Sequence, residues 1–260
     1  MTRQIDWGDH AAVLFDLDGV ITPTAEVHMR AWEVMFNDFL AGWEGEGDTA
    51  TYTDRDYFDH VDGKPRYDGV RDFLASRGID LPEGEESDGP DTDTVRGLGD
   101  RKNDAFNAVL ERDGVTAYPG SVALLDHLAT LPVRLAVVSS SVNAPAVLAA
   151  AGLLDRFETV VSGAVAHELG LPGKPAPDTF LHAASVVGAT AATSVVVEDA
   201  VSGVRAGASG GFVAVIGVDR GVGAANLTAA GATLVVDDLA ELVPTGTAGS
   251  SSSAEQDGDA

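Results

Sequence analysis

The sequence predicts an α/β protein, a doubly wound parallel sheet with an α-helical domain inserted after its first strand. Three observations carry this. The run Ala11–Phe15 is apolar throughout, short enough for a strand buried on both faces, and ends abruptly in Asp16-Leu17-Asp18-Gly19. From Tyr118 onward, strand-like and helix-like stretches alternate, the pattern of a parallel sheet covered on both faces. Between Thr24 and Arg112 nothing reads as a strand.

After the first strand, Thr22–Leu40 carries Val27, Ala31, Val34, Met35 and Leu40 at helical spacing. An acidic, glycine-bearing loop spans 42–51, followed by a short helix over 54–61, the stretch Asp62-Gly63-Lys64-Pro65-Arg66, and a helix through Val70, Phe73 and Leu74. A second acidic loop, 82–93, precedes a helix from about Thr94 to Arg112. Arg71 and Arg77 read as helix-surface charges. The alternating half then predicts a helix after Pro119-Gly120, a strand over 134–138, a helix over 146–151 and a strand over 159–161. A helix over 178–187, a strand over 194–197, a helix to about Ala208 and strands over 212–218 and 233–236 complete it, with Asp237-Asp238 capping a last helix. The boundaries are therefore 1–22 with 115–244 for the sheet domain and 23–114 for the helical cap. The small, polar stretch 245–260 has a disordered composition.

At 260 residues the chain can bury a full core. It has no cysteine, which removes disulfides, thiolate catalysis and cysteine metal sites together. A formal net charge of −25 argues against nucleic acid and anionic membrane surfaces as partners. The N-terminal residues lack the apolar core of a signal peptide and no apolar run could span a bilayer, so a cytoplasmic protein is expected. Only three lysines occur, Lys64, Lys102 and Lys174, so the place of each is informative.

The candidate chemistry lies at the strand ends. Residues two apart on a strand face one side, so Asp16 and Asp18 can converge, and Gly19 permits a sharp turn beyond them. Such a pair can hold a hard cation, divide the work of nucleophile and proton donor, or merely cap a helix. Ser139 and Ser141 stand between a strand and a helix, fit for an anion or for a cap. Lys174, between Gly173 and Pro175, faces either this site or solvent. Glu198-Asp199 end an apolar strand, where adjacent carboxylates are costly unless a cation or hydrogen bonds compensate. Taken together, these groups equip a chain for phosphoryl transfer through an aspartyl-phosphate.

The ordered motifs D-L-D-G-V, S-S-S, G-K-P-A-P-D and V-E-D-A resemble those of the haloacid dehalogenase superfamily over about 11–242. Within it, DLDGVITPTAEVHMRAW and RKND (101–104) resemble the β-phosphoglucomutase-like branch. The resemblance implies a Rossmann-like core and an enzyme interconverting β-D-glucose 1-phosphate and glucose 6-phosphate through a bisphosphate. It implies Asp16 as nucleophile and Asp18 as general acid/base, with Mg²⁺ held by Asp16, the Asp18 backbone carbonyl, Glu198 and Asp199. Ser139, Ser140 and Lys174 would bind the transferring phosphoryl group. Thr24 and His28 would couple cap closure to Asp18. Arg66, Ser141 and Asn143 would grip the second phosphate, and Lys102 would face the sugar. A small-molecule sugar phosphate is thus the expected partner, bound by a monomer.

Two positions depart from the branch: Pro23 stands where an acidic residue is common, and Val142 where a lysine would help hold the distal phosphate. The second departure leaves open the alternative of a phosphatase acting on a small sugar or polyol phosphate, which needs one anion site. A non-catalytic binding protein would not need the full set of Asp16, Asp18, Ser139, Lys174 and Asp199. Trp32 reads as cap packing, and Lys64 as a solvated charge.

Overall fold

The computed structural model describes residues 5–244, and the polar stretch 245–260 lies outside the described residues. Six strands form one parallel sheet: β1 (Ala12–Phe15), β2 (Arg134–Val138), β3 (Thr159–Val161), β4 (Ser194–Glu198), β5 (Ala214–Val218) and β6 (Leu234–Val236). Their order is β3-β2-β1-β4-β5-β6. The chain works outward from β1 to β3, then crosses back to β4 and works outward to β6. The reversal falls between β1 and β4, and open α/β sheets bind ligands beyond the strand ends at that point.

The segment between β1 and β2 forms a helical cap: α1 (Thr24–Gly42), the single turn α2 (Asp54–Asp56), α3 (Arg66–Ser76) and α4 (Val95–Asp113). α2 runs directly into a π-helical turn, Tyr57–Val61. Its core is its own, built on Trp32, Met35, Phe36, Phe39, Tyr52, Phe73 and Leu98. Phe36 sits at the centre, its ring 4.1 Å from Phe73, 5.0 Å from Tyr52 and 5.3 Å from Trp32. The two chain crossings into and out of the cap are pinned side by side. Tyr118 N–H donates to Ile21 O (3.0 Å), and Ser121 Oγ to Val20 O (2.6 Å).

Helices α5 (Pro119–Leu128), α6 (Ala144–Ala150), α7 (Gly163–Glu168), α8 (Asp178–Val186), α9 (Val201–Ser209) and α10 (Ala224–Ala230) flank the sheet. The period-two alternation of β1 divides the core: Val13 and Phe15 pack with α5 and α6, Ala12 and Leu14 with α8, α9 and α10. This is the basis for the unbroken apolar run in the sequence.

Several details differ from expectation. Val34 is 49% exposed, because the buried stripe of α1 is centred on Trp32, Phe36 and Phe39 and Val34 falls off its edge. Arg77 is no bare surface charge: its side chain is 10% exposed and ties the acidic loop down through Asp48 (3.2 Å) and Asp56 (3.0 Å). α7 and α10 had no counterpart in the sequence reading, being one or two turns rich in glycine and alanine that carry too few apolar positions to show a period.

A cap with its own core should fail on its own. Phe36→Ala removes its central ring and should cost about 3–5 kcal/mol of local stability. Hydrogen exchange should then show protection lost in α1, α3 and α4 but kept in β1 and β4. Loss spread evenly over the sheet would show that cap and core form one cooperative unit.

Candidate active site

The site begins where β1 ends. Asp16 N–H still donates to Val197 O (2.9 Å), so the residue is held in the ladder while its side chain leaves the sheet. Pairing of Phe15 with Val137 and Val197 sets Asp16, one residue on, level with Val138 and Glu198. Lys174 spans all three. Its Nζ donates to Asp16 Oδ1 (2.5 Å), Glu198 Oε1 (2.5 Å) and Val138 O (3.0 Å), which uses every proton of the ammonium. Burial opposes the charge of Lys174, but Asp16 and Glu198 outweigh it and hold its pKa above the usual lysine range.

One cation does not balance this cluster. Asp16, Glu198 and Asp199 each bring a carboxylate oxygen to within 4.8 Å of the others. Burial, offset in part by Lys174, pushes Asp16 well above the usual carboxylate range, and Asp199 is pushed up by burial and by the charges of Glu198, Asp16, Asp62 and Asp18. Hard oxygen ligands with surplus negative charge are the donor set a divalent cation requires. The Asp199 carboxylate lies against Gly19, whose φ is +84° and where a Cβ would overlap it, so the turn after Asp18 admits only glycine. Glu198 is the most engaged of the three, since Oε2 also accepts from Ala200 N–H (3.0 Å).

Asp18 lies beyond the strand and turns its carboxylate to other partners. Thr24 Oγ1 donates to Oδ1, His28 Nε2 stands 3.4 Å away, and Ser139 Oγ is 3.5 Å from Oδ2. Burial works to raise its pKa, but His28, Thr24 and Lys102 hold it down, at about 2. Thr24 and His28 are four residues apart on the first turns of α1, hence on one face, with the positive end of the helix toward Asp18. His28 stacks on Phe106 (4.1 Å), and its Nδ1 contacts Lys102 Nζ. Lys102 is buried, and desolvation lowers its pKa to about 7.

Core and cap close over a cavity of about 80 Å³. Asp16, Asp18, His28, Arg66, Lys102, Ser140, Ser141, Asn143, Glu198 and Asp199 line it, whereas Thr24, Ser139 and Lys174 stand behind its wall. Ser139 Oγ accepts from Ser141 N–H (3.0 Å) and Ser141 Oγ from Asn143 N–H (3.2 Å), fixing the loop before α6. The cap is docked through Ser140 Oγ to Gly63 O (2.9 Å), Ser202 Oγ to Asp62 O (3.3 Å) and Asn143 Nδ2 to Asn103 Oδ1 (2.8 Å). Arg66 pairs with Asp100 (3.2 Å) and Tyr67 OH (3.0 Å) through Nη2 alone, and its Nε and Nη1 are buried without partners. Val142 also lines the cavity and brings no charge.

Sequence reasoning missed four contributors. Asp62, Tyr57 and Asn103 line the cavity, and Asp62 is pushed up to about 6 by burial and by Glu198. Arg220, at the end of β5, donates to Gly19 O (2.8 Å) and stacks 3.9 Å over Tyr118. Its single signal was an arginine at a strand end in a chain poor in cations. Trp32 packs the cap core and reaches the cavity as well. Lys64, also lining it, is paired with Asp72 at 2.7 Å and is not simply solvated.

Comparison with known proteins agrees with this geometry. A β-phosphoglucomutase of Mycobacterium bovis is 46% identical over 239 residues, 89% of this chain and 91% of that protein. The β-phosphoglucomutase of Bacillus subtilis is 30% identical over 81% of this chain and 84% of its own. Among solved structures, a β-phosphoglucomutase from Clostridium difficile superposes with a TM-score of 0.72 at 24% identity, covering 90% of this chain and 93% of that one, a likeness of fold. The family model for haloacid dehalogenase-like hydrolases matches residues 10–211, and it is to this family that the chain belongs, in its β-phosphoglucomutase-like branch.

Proposed function

We propose that this chain is a β-phosphoglucomutase, interconverting β-D-glucose 1-phosphate and glucose 6-phosphate through an aspartyl-phosphate on Asp16. In the first half-reaction a sugar hydroxyl attacks the phosphorus carried by Asp16. Its proton passes to Asp18, the new O–P bond forms, and the bond from phosphorus to Asp16 breaks to give a bisphosphate. In the second, the bisphosphate is held the other way round. Asp16 attacks the other phosphorus and Asp18 returns the proton to the departing sugar oxygen. A carboxylate held ionised by Thr24 and His28 suits the first role, and the proton it gains suits the second.

Lys174 offsets charge on Asp16 and on the transferring group, while Ser139 and the loop through Ser140 supply hydroxyl and amide donors. The carboxylates of Asp16, Glu198 and Asp199 would hold Mg²⁺, with the Asp18 carbonyl as a further proposed ligand, and the ion would neutralise phosphoryl and carboxylate charge. Residues 23–114 act as a cap that opens to admit substrate and closes over the core formed by 1–22 and 115–244. The observation that carries the mutase reading is Arg66, a lining residue of the same cavity whose two buried, unpartnered nitrogens are donors that a second phosphate would satisfy. A phosphatase of small sugar phosphates is the alternative, favoured by the uncharged Val142 on the core side of that position.

Arg66 separates the two. Arg66→Ala should depress glucose 6-phosphate formation about 30- to 150-fold, the effect of roughly 2–3 kcal/mol, while hydrolysis of a simple monophosphate changes far less. The two products, glucose 6-phosphate and free phosphate, are followed separately with and without a bisphosphate primer. Unchanged mutase turnover moves the phosphatase reading ahead.

Asp199 tests the cation. Asp199→Ala should raise the Mg²⁺ concentration needed for half-maximal activity at least about 10-fold and weaken Mg²⁺ binding by calorimetry in step. Full activity in a chelator would show that the acidic cluster is structural.

A further inference from the structure

The cavity contains one carboxylate that the proposed chemistry does not use. We propose that Asp62 is the group that selects the sugar, its carboxylate accepting hydrogen bonds from substrate hydroxyls lying between the two phosphate positions. This rests on the mutase reading above and adds a residue to it.

Asp62 is held from both sides. Its N–H donates to Tyr57 O (2.9 Å), closing the π-helical turn, and its carbonyl accepts from Ser202 Oγ of the core (3.3 Å). Next to it, Gly63 has a φ of +69° and no room for a Cβ against Ser202 and Ala200, so the loop backbone is seated directly on the core. Where the cap is down, the backbone that carries the Asp62 side chain is therefore fixed in place. Several other polar groups of the cavity are already engaged. Asp16 and Glu198 hold Lys174, Asp18 holds Thr24, and Asn143 holds Asn103. The cations nearest in sequence go elsewhere, Lys64 to Asp72 and Arg66 to Asp100. Asp62 lines the cavity with no lysine or arginine paired to it among the described residues; its carboxylate meets the Tyr57 hydroxyl, which leaves acceptor capacity for a ligand.

An ionised carboxylate accepts and never donates, so beside it a phosphate is repelled and a hydroxyl is bound. Asp62 lies four residues before Arg66 on the cap, and close enough to the reacting end to feel Glu198, Lys174 and Asp18. The matching ligand carries anionic groups at both ends and hydroxyls between them, the pattern of a phosphorylated sugar ring. A simple alkyl phosphate would leave the carboxylate without a donor from the ligand, and a site built to bind a hydroxyl discriminates strongly against a ligand lacking it.

The test compares β-glucose 1-phosphate with its 2-, 3- and 4-deoxy analogues in the full-length wild type, Asp62→Ala and Asp62→Asn, reading kcat/KM. In the wild type one deoxy analogue should fall about 10- to 100-fold below the parent sugar. Asp62→Ala should lose a similar factor on the parent sugar, and that same analogue should then fall less than about 2-fold further, since hydroxyl and carboxylate report one contact. Asp62→Asn, which keeps an acceptor without the charge, should fall between, and circular dichroism confirms that both variants fold. Deoxy losses in Asp62→Ala equal to those of the wild type for every analogue would overturn the assignment, as would unchanged turnover of the parent sugar. Failure of the wild type itself to turn over glucose 1-phosphate would remove the mutase reading and this inference with it, whereas additive losses remove this inference alone.

Discussion

One ammonium joins three strand ends. Lys174 hydrogen-bonds the last carbonyl of β2, the carboxylate after β1 and the carboxylate ending β4, and these are neighbours because register makes them so. Buried charges cost several kcal/mol each, and their attraction offsets this best when hydrogen bonds are made, as all three of the Lys174 ammonium are. The result fixes Asp16 at the reversal point of the sheet. It also leaves the site short of positive charge, since the charges that weigh most on Asp199 are those of four other carboxylates. A cluster that is structurally locked and electrostatically incomplete suits the cation and phosphoryl group of the proposed reaction.

The second aspartate answers to the cap. Asp18 meets Thr24 and His28 of α1, and His28 is in turn braced by Phe106 and Lys102 of α4. When Lys102 is charged and donates to Nδ1, a neutral His28 carries its own proton on Nε2, the nitrogen facing Asp18. Two carboxylates two residues apart thus sit in different surroundings, one fixed by the core and the other by a domain docked through Gly63, Asp62 and Asn103. In the proposed mechanism, that separation leaves the reacting groups complete only when the cap is down.

The sheet was legible because its determinants are local: apolar runs, and polar residues that begin where the strands end. The acidic and hydroxyl-bearing residues at those ends could be placed together by topology alone. The cap was less legible. Val34 looked like core because a helix offers several overlapping apolar stripes, and only the partner helices decide which is buried. Lys102 and His28 are far apart in sequence, and nothing local signals that Phe106 brings them together. Asp62 and Arg220 lay hidden in plain view as single charges whose meaning is set by the backbone they meet, Ser202 and Gly19 respectively. Short helices such as α7 and α10 carry too little pattern to be read at all.

The proposed reaction depends on Asp16 as the residue that carries the phosphoryl group. Brief reaction with a radiolabelled acyl phosphate donor and Mg²⁺, followed by acid quench and borohydride reduction of the acyl phosphate, marks the modified residue for peptide mass spectrometry. The proposed chemistry predicts radiolabelled phosphate on the protein before reduction, homoserine in place of Asp16 after it, and, in unreduced enzyme, discharge of the label by added glucose 1-phosphate into a sugar bisphosphate. Label on Ser139 or elsewhere, or sugar phosphate turnover with no labelled enzyme at any time point, would contradict it.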